Sequence, residues 1–185
     1  MRDTICALAT PAGGAIGVIR ISGEKTFGIL EGMLRNSLGK PFAYARTKKR
    51  FYGNFFSTEG ELIDDVVVNF YPSPHSYTGE DCAEISCHGS AYILQQALSA
   101  LIKAGCRQAE PGEYTKRAYL NGRLDLSQAE AVADLISASN RASHKIALGQ
   151  LRGHFSNALS DLRDKLLKMN SLLELELDFS DHEEL

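Results

Sequence analysis

Three charged side chains stand where the local structure does not require them. Glu84 and Arg20 each interrupt a short stretch in which apolar residues alternate, and Arg123 follows an Asn-Gly pair. A charge in the middle of a half-buried strand costs free energy unless it is paired or given hydrogen-bond partners. An Asn-Gly pair already makes a good turn, so the backbone does not need an arginine there. Two cations and one anion around a cleft suit a ligand with a donor-rich heterocycle at one end and carboxylates at the other.

A purely structural role is open for each of these residues. Arg20 and Glu84 would then pair with each other or lie on a solvated sheet face, which spacing alone favours. Arg123 would pair with Asp125 or bind the carbonyl groups at the end of the preceding helix.

The elements that must position these residues follow from the periodicity of the apolar residues. Strands are predicted where apolar residues alternate, at 4–8, 15–22, 43–57, 62–71 and 82–87. Helices are predicted where they recur every three or four residues, at 25–38 and 89–105. Strand and helix do not alternate strictly. We therefore predict an α+β fold with a mixed or antiparallel sheet and packed helices.

The C-terminal third has a purely helical pattern. Ser127 and Glu130 match a capping box, which predicts a helix over residues 128–139. Beyond Asn140, apolar residues at spacings of three and four predict one long helix with a heptad-like seam. The seam needs more partners than one short helix supplies, which indicates a sequence cut inside a larger helical domain.

Composition and charge narrow the class of protein. The chain has 185 residues, 44% of them hydrophobic, and a net charge of -3, which does not favour a general nucleic-acid binder. A basic run at 46–50 could still bind nucleic acid or protect an edge strand. The apolar runs are too short to span a membrane, and Asp3 stands where a signal peptide would be basic. We expect a cytoplasmic protein that does not bind a membrane.

Cysteine spacing favours neither disulfides nor a metal. The four cysteines are placed singly, which predicts reduced buried thiols. Cys82, Cys87 and His88 lack the spacing of a zinc site, and no second pair supplies further ligands. Residues 23–26 imitate a phosphate-binding loop, but Glu24 separates the glycine from the lysine. We therefore predict no metal site and no nucleoside triphosphate site.

The chain contains, in this order, three segments typical of a known family: DTICALATPAGGAIGVIRISG, SYTGEDCAEISCHGS and PGEYTKRAYLNGRLDLSQAEAVADLI. Together they resemble the N-terminal part of the MnmE (TrmE) family of bacterial tRNA-modification GTPases, over nearly the whole chain. The resemblance implies a folate-binding domain similar to that of the glycine-cleavage aminomethyltransferase, which forms a homodimer. It also implies a helical domain into which a GTPase domain is inserted. We place the folate domain at 1–120 and the first part of the helical domain at 121–185.

The resemblance implies a reaction and partners. With MnmG, a partner that uses flavin and NADH, family members add aminomethyl or carboxymethylaminomethyl groups to the wobble uridine of certain tRNAs. The one-carbon unit comes from a tetrahydrofolate derivative such as 5-formyl-tetrahydrofolate. GTP, Mg²⁺ and K⁺ belong to the GTPase domain, whose motifs are missing from this sequence. This chain alone should therefore not hydrolyse GTP.

The family's folate contacts correspond to Arg20, Glu84 and Arg123 of this sequence, with no catalytic residue among them. A carboxylate accepts the amino group and the ring N–H of a pterin side by side, which suits Glu84. The two arginines suit the glutamyl carboxylates or the formyl and ring oxygens, and which arginine takes which end stays open. A further family contact lies near the C-terminus, outside this chain, and Ser90 replaces the second glycine of the family's HGG pattern.

Two rival functions belong to other classes of protein. A free-standing folate-dependent one-carbon transferase would need its own catalytic acid or base, and the candidates, Asp81 and His88, have structural explanations. A pure interaction module would use the long heptad helix to bind a partner.

Overall fold

The computed structural model of the chain describes residues 3–44 and 50–180. These residues form two compact units that divide between Arg123 and Leu124. The first unit combines a sheet with helices and the second is helical, which confirms the predicted α+β class with a following all-α segment. The basic run predicted at 46–50 lies outside the described residues, except for Arg50, where a strand begins.

The described elements follow one another in a fixed order along the chain. They are β1 (Ile5–Leu8), β2 (Ile16–Ser22), α1 (Thr26–Met33), β3 (Leu34–Arg35), β4 (Arg50–Phe56), β5 (Leu62–Tyr71), β6 (Cys82–His88), α2 (Ala91–Lys103), β7 (Arg107–Gln108), α3 (Glu113–Leu120), α4 (Leu126–Ser137), α5 (Arg141–Leu151) and α6 (His154–Ser180). The strands predicted at 4–8, 15–22, 62–71 and 82–87 match to within one residue at each end.

One mixed sheet organises the first unit. Its order is β3-β4-β5-β6-β2-β1-β7, with antiparallel neighbours except for the parallel pair β1 and β7. Every second residue of the central strands is fully buried beneath α1 and α2, for example Ile19, Ile85 and Val68. A Cβ added at Gly17 would lie 2.5 Å from Leu94, so this glycine lets α2 approach the sheet closely. The intervening residues of these strands face away from this core.

Helix α1 is shorter than predicted. The prediction of a helix over 25–38 is wrong after Met33, because Leu34 turns to extended geometry and pairs with Phe55 of β4. The Asn36 side chain then accepts the backbone N–H groups of Leu38 and Lys40, which makes a turn. Leu38 satisfied the helical spacing, but its side chain is exposed.

The helical unit corrects two predictions. Asp125, rather than Ser127, caps α4, because its carboxylate accepts the N–H of Gln128 while the Gln128 side chain accepts the N–H of Asp125. The long helix predicted beyond Asn140 is two helices, since Gly153 adopts a φ of +80° between α5 and α6. The predicted apolar seam does run along α6, and its large side chains are about half exposed.

Two smaller findings concern cysteines and membranes. All four cysteines are buried free thiols, as predicted. Within the described part of the chain, no helix is long and apolar enough to cross a membrane.

Candidate ligand-binding site

Arg20 and Glu84 form an ion pair on the sheet face that points away from the core. The β2–β6 register places them directly opposite each other. Arg20 donates from Nε and Nη2 to Oε1 of Glu84, at 3.0 Å and 2.7 Å. The side chains are 31% and 26% exposed, so the pair is reachable from solvent. The pair, one of the two structural alternatives, is therefore present, and neither of its hydrogen bonds uses the second carboxylate oxygen, Oε2.

Three tyrosines surround this ion pair. The guanidinium carbon of Arg20 lies 5.6 Å from the ring centroids of both Tyr77 and Tyr114. The Tyr114 hydroxyl donates to the Arg20 carbonyl oxygen at 2.7 Å, and burial raises the pKa of Tyr114. The Tyr71 hydroxyl is 3.4 Å from Oε2 of Glu84, and burial together with that carboxylate raises the pKa of Tyr71. Tyr71 and Tyr114 therefore keep their phenol protons near pH 7, and the three rings place flat apolar surface around the ion pair.

A cavity of about 200 Å³ opens at this place. It is lined by Arg20, Tyr71, Tyr77, Cys82 and Glu84. Pockets for whole drug-sized ligands usually measure about 300–1,000 Å³, so this cavity suits one ring system rather than an entire long ligand. Its aromatic walls and single carboxylate suit a flat ring that carries N–H donors.

Arg123 lies beside the loop that joins β5 to β6, residues 72–81, which we call the β5–β6 loop. A Cβ built at Gly79 of this loop would lie 3.2 Å from Cγ of Arg123. Asn121 ties the turn to the same loop by donating from Nδ2 to the Thr78 carbonyl at 2.7 Å. Arg123 itself is exposed, and among the described residues its guanidinium has no ion-pair or hydrogen-bond partner.

The three predicted site residues are thus positioned unequally. Arg20 and Glu84 are in contact with each other. Arg123 contacts the β5–β6 loop, which also supplies Tyr77 to the cavity. The β5–β6 loop is therefore the element that lies next to both the ion pair and Arg123.

A buried charge cluster that the sequence did not reveal holds the β5–β6 loop. Arg117 of α3 is 4% exposed. It forms ion pairs with Asp3 at 2.7 Å, Glu113 at 3.0 Å and Glu80 of the loop at 3.1 Å. Glu80 also accepts the Ser22 hydroxyl at 2.7 Å, which links the loop to the end of β2. The Glu113 and Arg117 pair has the (i, i+4) spacing of a helical ion pair, the one signal by which sequence could have found it.

The residues considered as acid or base for a rival transferase make local contacts. Asp81 accepts the backbone N–H of Ser73 at 2.8 Å through Oδ1. His88 contacts Asp64 through Nδ1 at 2.8 Å, and its side chain is 71% exposed. Across the described residues, no group of three or more His, Cys, Asp and Glu side chains could hold a metal ion.

The protein is thus of the α+β class, with a polar site on the sheet face that points away from the core. A helical unit follows in the chain. The family described as "GTP-binding protein TrmE N-terminus" matches residues 4–123, and the family described as "MnmE helical domain" matches residues 126–185. The chain therefore belongs to the MnmE (TrmE) family, as the resemblance indicated.

Curated relatives agree with this membership. A protein of Bacteroides thetaiotaomicron named "tRNA modification GTPase MnmE" is 54% identical over 183 residues, which are 98% of this chain and 39% of the relative. Proteins of the same name from Flavobacterium johnsoniae and Phocaeicola vulgatus are 51% and 49% identical, over 98% and 100% of this chain. These alignments cover 39% and 43% of the two relatives, so the chain spans about two fifths of their length.

Proposed function

We propose that this chain is the folate-binding and dimerising part of a cytoplasmic tRNA-modification GTPase. The observation that carries the proposal is the Arg20–Glu84 pair beside a cavity with two tyrosine walls. Family membership supports the reaction class, since the relatives are named as tRNA-modification GTPases. The proposed reaction is the addition of aminomethyl or carboxymethylaminomethyl groups to the wobble uridine of tRNA, together with MnmG.

Glu84 is the proposed anchor for the pterin ring of a tetrahydrofolate derivative such as 5-formyl-tetrahydrofolate. Its Oε1 is fixed by Arg20, whereas among the described residues Oε2 has only the long contact with Tyr71. A carboxylate oriented in this way accepts N–H groups at little entropic cost, because one side is already held. Tyr71 and Tyr77 supply flat contact area, and Arg20 fixes the orientation of the carboxylate.

Arg123 is the proposed cation for the polar part of the folate beyond the ring. It is exposed and lies against Gly79 of the β5–β6 loop, and no partner among the described residues competes for its charge. An unpaired guanidinium matches carboxylates and carbonyl oxygens well. The folate supplies the one-carbon unit. GTP, Mg²⁺ and K⁺ are assigned to the parts of the relatives that this chain does not span.

Association through the first unit is also part of the proposal. Tyr52 of β4 lies opposite Val67 of β5 on the open sheet face, and the two side chains are 69% and 41% exposed. Neighbouring apolar side chains in solvent favour a surface that is covered by a partner. A two-fold homodimer would bury them against each other.

Calorimetric titration of the chain with 5-formyl-tetrahydrofolate tests the proposal. We expect saturable binding of one folate per chain. The matched control ligand is p-aminobenzoyl-glutamate, which lacks the pterin and should bind far more weakly if Glu84 anchors the ring. Absence of folate binding, or equal affinity for the two ligands, would contradict the assignment. The first result would also favour the rival interaction module.

A further inference from the structure

We propose that the solvent-facing side of α5 is a contact surface for the phosphate backbone of RNA. The inference rests on the proposed function, because tRNA is the substrate of the proposed reaction. It concerns the surface formed by Arg141, Lys145 and Arg152, which we call the α5 basic surface. No residue of this surface belongs to the candidate folate site.

The sequence around α5 is depleted of acids. Between Asp134 and Asp161 the chain contains no Asp or Glu, although the whole chain has a net charge of -3. The three cations of the α5 basic surface all lie in this acid-free interval and are exposed. This interval therefore carries a local excess of positive charge on a protein that is negative overall. Such a patch favours phosphates at that place rather than general adhesion to polyanions.

Helix geometry places the three cations in one row. Lys145 follows Arg141 by one turn, and Arg152, the residue that caps the C-terminal end of α5, follows Arg141 by eleven residues, which is close to three full turns. At a rise of about 1.5 Å per residue the row is about 16 Å long. A nucleic-acid strand presents several phosphates over that length. The buried residue of α5, Ala147, points away from this row toward the interior of the helical unit.

The charges of the row are not neutralised within the protein. Among the residues that the structure describes, none of the three has an ion-pair partner or a side-chain hydrogen bond. By contrast, the arginines of the first unit that touch carboxylates, such as Arg117 and Arg107, are paired several times over. Unpaired guanidinium and ammonium groups can release counterions from RNA on binding, which is the main source of sequence-independent affinity.

The helical unit holds α5 firmly. Gln128 of α4 donates from Nε2 to the Leu151 carbonyl at 2.9 Å, and Gln150 of α5 donates from Nε2 to Ser127 Oγ at 3.1 Å. These bonds tie the C-terminal end of α5 to the start of α4. The row is therefore presented by a fixed helix pair rather than by a free chain segment. Backbone contacts of this kind position RNA, whereas recognition of the base needs other residues.

A binding assay with a tRNA transcript and the whole chain tests the proposal. The variant Arg141→Gln/Lys145→Gln/Arg152→Gln removes three charges from the surface. The matched control, Arg163→Gln/Lys165→Gln/Lys168→Gln, removes three exposed charges from α6, where Asp161 and Asp164 stand among them. At about 50 mM salt the first variant should bind tRNA more than tenfold more weakly, and its salt slope should fall by about 2. The control should change affinity less than about threefold.

Several results would overturn the proposal. It fails if the parent chain does not bind tRNA, if the α5 variant binds as tightly as the parent, or if the control loses as much affinity. Tighter binding of poly-glutamate than of tRNA, lost in the α5 variant, would instead assign the surface to an acidic protein. Folate titration of the same variants separates this from the proposed function. If folate binding is intact and the α5 variant binds tRNA as tightly as the parent, only the α5 basic surface is ruled out. If the chain does not bind folate, the proposed function is ruled out.

Discussion

Arg20 binds Glu84 through one of its two carboxylate oxygens. Both hydrogen bonds from Arg20, at 3.0 Å and 2.7 Å, reach Oε1 of Glu84, while Oε2 has only a 3.4 Å contact with the Tyr71 hydroxyl among the described residues. The arginine thus fixes the carboxylate without saturating it. This division of the two oxygens makes a structural ion pair and a ligand site compatible in the same residues.

Substitution Glu84→Gln tests the role of the free oxygen. The amide keeps the shape but can turn a donor toward the pterin N–H groups, so folate affinity should fall by about 1.5 to 3 kcal/mol, as for a hydrogen bond to a charged group. Unfolding free energy should change by less than about 1 kcal/mol, because the ion pair is partly exposed. Calorimetry and urea unfolding measure the two quantities.

Glu59→Gln is the matched control for this variant. Glu59 also forms an ion pair, with Lys103 at 3.0 Å, and its side chain is 56% exposed. It does not line the cavity beside Arg20. Folate affinity should therefore stay at the parent value. An unchanged affinity in Glu84→Gln as well would remove Glu84 from the site.

Substitution Arg123→Ala separates a ligand role from a structural one. The side chain is exposed and, among the described residues, has no polar partner, so unfolding free energy should change by less than about 0.5 kcal/mol. Folate affinity should fall, and Arg123→Lys should restore part of it because charge placement is what matters. A large loss of stability with intact folate binding would leave Arg123 as a structural residue. The proposed partner in that case, Asp125, already accepts bonds from Gln128 and Ser156.

The strands could be predicted because apolar residues that face the core alternate with residues that face away from it. In β6, Ala83 and Ile85 are fully buried whereas Glu84 is partly exposed, as the period of two requires. The same alternation predicts which charges leave the core. It does not predict the strand order, so the direct opposition of Arg20 and Glu84 remained one of two structural alternatives.

Other features of the fold were predicted wrongly or not at all, because the sequence pattern alone does not decide them. The cap of α4 was placed at Ser127 because Glu130 follows it, yet Asp125 with Gln128 satisfies the same pattern and forms the cap. The break before α6 depends on one glycine with positive φ, and a helical pattern tolerates a glycine without signalling a break. The carboxylates around Arg117 come from three separate segments, so sequence spacing indicates the Glu113–Arg117 pair but not the contacts with Asp3 and Glu80.

Substitution Arg117→Ala should be strongly destabilising. Among the described residues, it would leave Glu80, whose side chain is 14% exposed, without an ion-pair partner, and Glu113, whose side chain is 10% exposed, with Arg107 alone. Breaking a buried ion pair in this way costs about 3 to 5 kcal/mol. Lys116→Ala, at an exposed position of the same helix, should stay within about 0.5 kcal/mol of the parent. Similar unfolding midpoints in urea for both variants would show that the cluster contributes little.

Acid should weaken the same cluster through Glu113. The hydrogen bond from Arg107, with smaller contributions from Glu110 N–H and Arg117, lowers the pKa of Glu113 from 4.5 to about 2 against the opposing effect of burial. The unfolded chain takes up the proton first as the pH falls. This stabilisation is therefore complete above about pH 4.5 and is lost between there and about pH 2.

The difference in unfolding free energy between the parent and Glu113→Gln measures this loss. It should shrink by about 1 kcal/mol between about pH 7 and pH 3, less than full linkage gives, because the partner Arg107 is 43% exposed and solvent screens the pair. A difference that stays constant over this interval would mean that Glu113 titrates normally in the folded chain.

Association should depend on the open face of the sheet. Val67→Lys places a charge opposite Tyr52, in the middle of the surface proposed to pair, so the dimer should dissociate at tens of micromolar chain, roughly the concentration at which micromolar affinity is saturated. Ile102→Lys is the matched control, because Ile102 has 40% exposure against 41% for Val67 but lies on α2. Light scattering reports the mass in each case. Deletion of residues 141–185 removes the exposed seam of α6, and a dimer made by the first unit should persist. A parent chain that is monomeric would exclude the homodimer. A dimer that is lost on this deletion but not in Val67→Lys would assign association to the helical seam.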